Sequence, residues 1–205
     1  MEHTTNSITL RGTLQELPVF SHENHGKVFY RFILEVPRLS GAVDYLPVIV
    51  PEPLLQALDP TAGSMLTVIG QIHSHNHRTE GVRHLMIFVF AQTLLAEEGD
   101  PLNDVILEGP LCREPVFRRT PLGRDICDVM LAIPRVFHRA DYLPCILWGR
   151  TAQEVSRRQT GDLVRIRGRL QSRVYTKVTD EGPQERTAYE ISALTAEFPE
   201  NQTEY

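Results

Sequence analysis

Between Leu163 and Tyr175 the chain reads LVRIRGRLQSRVY, and its character changes at every residue. Val164, Ile166, Gly168, Leu170, Ser172 and Val174 form one set. Arg165, Arg167, Arg169, Gln171, Arg173 and Tyr175 form the other. A period of two belongs to a β-strand with one face buried. Shorter stretches repeat the pattern. Val105–Leu111 alternates, Asp125–Ile133 is apolar with small residues, and YEISALTAEF (189–198) alternates again. In the segment 142–148, Leu143, Cys145 and Leu147 share one side, and Tyr142 and Trp148 share the other. GRTAQEVSRRQTG (149–161) breaks the alternation and reads as a short polar helix between two glycines.

The same pattern is written twice. NSITLRG (6–12) matches NDVILEG (103–109), and LEVPR (34–38) matches LAIPR (131–135). DYLP occurs at Asp44 and again at Asp141, 97 residues later. After one inserted residue, GSMLTVIGQIHS (63–74) matches GDLVRIRGRLQS (161–172). A register held over several blocks marks a duplicated domain. We expect an all-β chain of two tandem five-stranded barrels, each with a short helix between strands 3 and 4. The first barrel spans 1–95, a linker 96–102, the second barrel 103–198 and a tail 199–205. This order of elements is the OB-fold arrangement, with a β-sandwich as the alternative.

Composition adds a contrast between the halves. The 205 residues carry a net charge of −5, which taken alone argues against an anionic partner. Residues 1–102 hold 6 Lys+Arg against 11 Asp+Glu, whereas 103–198 hold 15 against 13. Only the second half has the balance to attract an anion over its surface. No apolar run approaches the ~20 residues of a membrane span, and the N-terminus MEHTTNSITL has no signal-peptide pattern. A cytoplasmic protein with no membrane partner is expected. Three cysteines without a CxxC pair read as reduced, buried residues.

The candidate chemistry is binding. One side of 163–175 presents four arginines, and Tyr142 and Trp148 share the outer side of the preceding strand. Rings beside guanidiniums suit a single nucleic-acid strand, whose bases stack and whose phosphates are tracked by cations. The run EGPLCREPVF…LAIPR…DYLPCILWGRTAQEV…TGDLVRIRGRLQSRVY resembles the bacterial single-stranded DNA-binding protein (SSB) family. That resemblance implies OB barrels, sequence-independent binding of single-stranded DNA in replication, recombination or repair, and a homo-oligomer, here a dimer that gives four barrels. It implies DNA contacts at Tyr142, Trp148, Arg173 and Tyr175. Arg150, Arg165, Arg167, Arg169 and Lys177 join them as cations. Arg135, Phe137 and Arg139, in the loop after strand two, extend the path, and Tyr45 is the first-copy match of Tyr142.

The first copy keeps the inward set (Leu46, Val48, Val50, Leu66, Val68, Ile72) and changes the outward one. Trp148 is matched by Pro51, Tyr175 by His77, and the arginines by Thr67, Ile69, Gln71 and His75. The second barrel is therefore expected to dominate binding, with the first binding weakly or supplying a subunit interface. HSHNH (73–77) reads as surface or interface histidines, with residual DNA stacking as the alternative, rather than as a metal site, since alternate positions on a strand close a tetrahedron poorly and no cysteine joins them. No cofactor and no catalytic constellation is evident. The ending FPENQTEY lacks the acidic tip closing in Pro-Phe through which the family recruits partners, so recruitment by that route is not expected. The rival reading is an OB-type protein–protein module, such as a primosome-like accessory scaffold. RNA is a further alternative ligand.

Overall fold

Alternating strands become two barrels because each has one apolar face to bury. The computed structural model describes residues 5–79, 82–136, 139–179 and 182–199. The first half comprises β1 (Asn6–Leu14), β2 (Val19–Asn24), β3 (Lys27–Pro37), β4 (Val43–Pro51), α1 (Glu52–Leu58), β5 (Met65–Thr79) and β6 (Val82–Ala96). The second repeats it as β7 (Leu102–Pro110), β8 (Val116–Arg119), β9 (Asp125–Arg135), β10 (Arg139–Trp148), α2 (Gly149–Val155), β11 (Leu163–Thr179) and β12 (Gly182–Glu197). Every residue of the inward set named above is completely buried. Its second-half counterparts Leu143, Leu147, Val164, Ile166 and Leu170 are as well.

Two strands go beyond the expected five per barrel. β2 pairs with β3, and β8 with β9. Both are exposed along most of their length. With no buried face they show no period of two, so alternation could not reveal them. The β2–β3 turn is made by His25 and Gly26, both with positive φ (50° and 71°), as a two-residue hairpin requires.

Gly70 and Gly168, equivalent in the repeat, sit where the register of the β5–β6 and β11–β12 ladders shifts. A Cβ at Gly70 would lie 2.0 Å from the Phe90 carbonyl oxygen, and one at Gly168 would lie 2.2 Å from that of Ser192. Only glycine lets the partner strand approach this closely.

The barrels are joined without a break. β1 and β7 pair antiparallel from Asn6↔Leu107 to Arg11↔Leu102, so twelve strands form one sheet among the described residues. The β5–β6 and β11–β12 hairpins run past their own barrels. β11 packs against β4 of the first barrel, and β5 against β10 of the second. Each barrel thus lends a long arm to the other.

The doubled DYLP motif holds these arms. The Asp44 carboxylate, fully buried, accepts hydrogen bonds from Arg38 Nε (2.7 Å) and from the Ser172 N–H of the opposite arm (2.7 Å). Asp141, also fully buried, accepts from the Ser74 N–H (2.6 Å), from His73 Nδ1 (2.8 Å) and from Arg135 Nη1 (3.3 Å). The following tyrosines complete the symmetry. Tyr45 N–H donates to Ser172 Oγ (3.0 Å), and Tyr142 N–H donates to Ser74 Oγ (2.8 Å). The apolar letters that persist between the copies build the cores. The Arg, Asp and Ser that persist build this reciprocal clamp.

Arg135 therefore ends β9 rather than lying in the following loop, and it takes part in the clamp, since a buried carboxylate needs a cation beside it. Burial pushes the Asp141 carboxyl up. His73, the Ser74 N–H and Arg135 outweigh that, and the net result lies below the ordinary 3.8. A carboxyl lowered on folding contributes stability above its unfolded pKa and loses it as pH falls through the folded value. Urea unfolding of Asp141→Asn should therefore show a flatter loss of stability below pH ~4 than the parent protein. Asp44→Ala should cost about 3 kcal/mol, the lower end for breaking a buried pair, because Arg38 retains access to water.

Candidate nucleic-acid interface

β10 turns two rings outward, Tyr142 near its start and Trp148 at its end, roughly 20 Å apart at strand spacing. Tyr142 and Trp148 point outward, opposite to Leu143, Cys145 and Leu147. Trp148 is the N-cap of α2 and has extended backbone, and Gly149, with φ of 57°, turns the chain into the helix. Thr151 Oγ1 donates to the Trp148 carbonyl (2.8 Å), and the indole Nε1 donates to Ser192 Oγ on β12 (3.2 Å). One edge of the ring is thereby tied down, and the side chain remains open, with Trp148 38% and Tyr142 44% exposed. A ring fixed at one edge and open elsewhere is suited to stacking.

The arginine row is not a uniform strip of available charge. Arg165 pairs with Glu108 (3.0 Å), and Arg167 makes a bidentate pair with Asp104 (2.8 and 3.1 Å). The hydrogen bond to Asp104 raises the Arg167 pKa further. Both acids lie on β7, which neighbours β11 in the sheet. Arg150 is drawn to Glu154 one helical turn on (2.8 Å). Arg169 lies opposite Ser192 in the β11–β12 ladder, beside the Trp148 anchor, and its buried Nε has no hydrogen-bond partner among the described residues. Arg173 is exposed and lies over the Tyr175 ring, 5.7 Å from its centroid. Arg139 is exposed at the start of β10, and Phe137 lies outside the described residues.

Tyr175 and Lys177 are not on Trp148's side of the molecule's division. Tyr175 pairs with Arg186, six residues along β12 from Ser192, which is roughly 20 Å at strand spacing. The arm carries both over the first barrel. There they line a groove of about 1150 Å³ with Tyr45, Ile33, Ile49, Met86 and Phe88. Tyr175 and Trp148, which the family resemblance sets on one DNA path, are thus well separated in the fold. Tyr45, 49% exposed, belongs to this groove.

The clamp residues Asp44, Asp141, Ser74 and Ser172 carry no ligand chemistry, yet they position both faces. Their signal in the sequence was identity between the copies. His73 is committed to Asp141 and packs against Phe88 and Phe90. The side chains of His77 and His84 lie outside the described residues. Burial pushes the Cys127 thiol up to about 11 and raises Cys145 as well, so neither is a thiolate at neutral pH. No helix among the described residues is long and apolar enough to cross a membrane.

Residues 102–199 match the Single-strand binding protein family. Over 80 residues the chain is 39% identical to Single-stranded DNA-binding protein B of Bacillus subtilis, covering 36% of this chain and 71% of that protein. The chain belongs to the single-strand binding protein family. This SSB-family chain is also 32% identical over 108 residues to the Single-stranded DNA-binding protein of Oceanobacillus iheyensis, covering 48% of this chain and 64% of that one. It thus spans less than two thirds of that relative. The crystal structure of the wild-type single-stranded DNA binding protein from Thermus aquaticus superposes with a TM-score of 0.78 at 24% identity, over 95% of this chain and 92% of that one. The shared fold therefore extends over both barrels of this SSB-family chain.

Trp148 is the only tryptophan. Acrylamide should quench the emission of the folded, ligand-free protein, at a rate below that of the urea-unfolded chain. Insensitivity to acrylamide would show the ring to be sealed.

Proposed function

We propose that this protein binds single-stranded DNA without regard to sequence, in replication, recombination or repair, and that the second barrel carries most of the affinity. The observation that carries this reading is the pair of open rings, Tyr142 and Trp148, on the outer face of a barrel that matches the SSB family. Bases stack on rings whatever their identity. Arg169 beside the Trp148 anchor and the exposed Arg139 and Arg173 supply cations for phosphates. Arg150, Arg165 and Arg167 contribute less, since each already has an acidic partner. The chain works by binding rather than catalysis, in the cytoplasm where its ligand lies. Two copies assembling to four barrels is the oligomer that the family resemblance supports.

The net charge of −5 and the paired Arg165 and Arg167 favour the scaffold alternative, and one titration separates the two. Oligo-dT added at low salt should quench the Trp148 emission, and added salt should reverse it. The logarithm of affinity should fall against the logarithm of salt by ~0.7 per phosphate contact. Trp148→Ala should weaken binding by about 1–3 kcal/mol, measured by anisotropy of a labelled oligonucleotide. A scaffold gives neither quenching nor a salt slope.

A further inference from the structure

The first barrel has a proline where the second has Trp148, and on that ground alone its stacking surface looks lost. The strand ladders show otherwise. In the second barrel Trp148 stands directly opposite Ile126 of β9 and bonds to Ser192 of β12. In the first barrel Pro51 stands opposite Phe29 of β3. The β6 residue in the place of Ser192 is Phe90, because Gln71 and Phe90 pair as Arg169 and Ser192 do. Tryptophan, isoleucine and serine have become proline, phenylalanine and phenylalanine. The aromatic surface has moved one strand to either side.

The new rings form a connected platform. Phe29 and Phe90 lie with centroids 5.9 Å apart. His22, opposite Phe29 in the β2–β3 ladder, stacks on it at 4.9 Å with planes 13° apart. His22 is exposed and Phe29 half-buried. In the second barrel the residue opposite Ile126 is Arg118, held by Asp128.

The charge beside the platform has also reversed. Two residues beyond Phe29 on the same outward face is Arg31, exposed and in no ion pair among the described residues. Its counterpart in the repeat is Asp128. Arg31 lines the groove that Tyr175 and Lys177 enter from the opposite arm.

We propose that His22, Phe29 and Phe90 form a second base-stacking site, with Arg31 and Lys177 as its phosphate contacts. A single strand engaged at Trp148 is thereby held on the first barrel too, by rings that the repeat does not share. The proposal rests on the single-strand-binding reading above. Its ligand is the same polymer, and the site is new.

The test uses the full chain and oligo-dT carrying 5-iodo-deoxyuridine, which cross-links on illumination to the ring it stacks on. Peptide mapping should find adducts in the segment holding His22 and Phe29 as well as at Trp148. Phe29→Leu/Phe90→Leu, which keeps apolar packing and removes the rings, should weaken binding of an oligonucleotide spanning both barrels at least about fivefold. It should leave the quenching of Trp148 at saturation unchanged. Quenching at Trp148 with adducts confined to the second barrel, and unchanged affinity of the double variant, would overturn the second site alone. Absence of Trp148 quenching would overturn the binding reading itself. The cross-link is read in the parent protein, so a variant that fails to fold does not decide the matter.

Discussion

Two buried carboxylates set the geometry of this molecule. Asp44 and Asp141 each lie with no exposed surface, and each is satisfied only by groups from both barrels. An ionised carboxylate without such partners would be expelled from the interior or protonated. The requirement is therefore reciprocal: neither aspartate can be buried until the opposite arm supplies its serine N–H. That condition fixes how far β5 reaches over the second barrel and β11 over the first. Both binding faces inherit their shape from it.

The consequence is that no face belongs to one repeat. Trp148 lies on the barrel that β5 crosses, and Tyr175 overhangs the barrel that β4 helps to build. Charge follows the same rule. The acids that hold Arg165 and Arg167 stand on β7, the strand that also fastens the second barrel to β1. Cations near the junction are thus tied up, while Lys177, at the far end of β11, is left over the opposite barrel.

Most of the core was legible from the amino-acid order, because period-two alternation reports burial directly. Leu46, Val48 and Val50, and likewise Val164, Ile166 and Leu170, are buried as the pattern requires. Tyr142 and Trp148 were legible for the same reason: opposite parity to a buried set means an outward side chain. Pairing partners were not legible. Alternation along β11 shows that Arg167 faces out, and only the register with β7 shows that Asp104 meets it. Alternation likewise shows that Tyr175 faces outward, and cannot show that β11 outruns its own barrel. Phe29 and Phe90 are not legible as a pair, because only the ladders place them where the second barrel has Ile126 and Ser192. Their value emerges only across strands. β2 and β8 lack a buried face and so lack any periodic mark.

The β1–β7 ladder, finally, has a bearing on how the two halves came to differ. Two separate but identical chains meeting through this edge would carry every substitution on both sides of the contact at once. Covalent linkage lifts that constraint, since each half always meets the other and never a replica of itself. Proline could then replace the indole in one half while its twin kept it, and an arginine could stand in one where its counterpart became an aspartate. Carrying both copies in one chain thus allows the two sides of the scaffold to specialise.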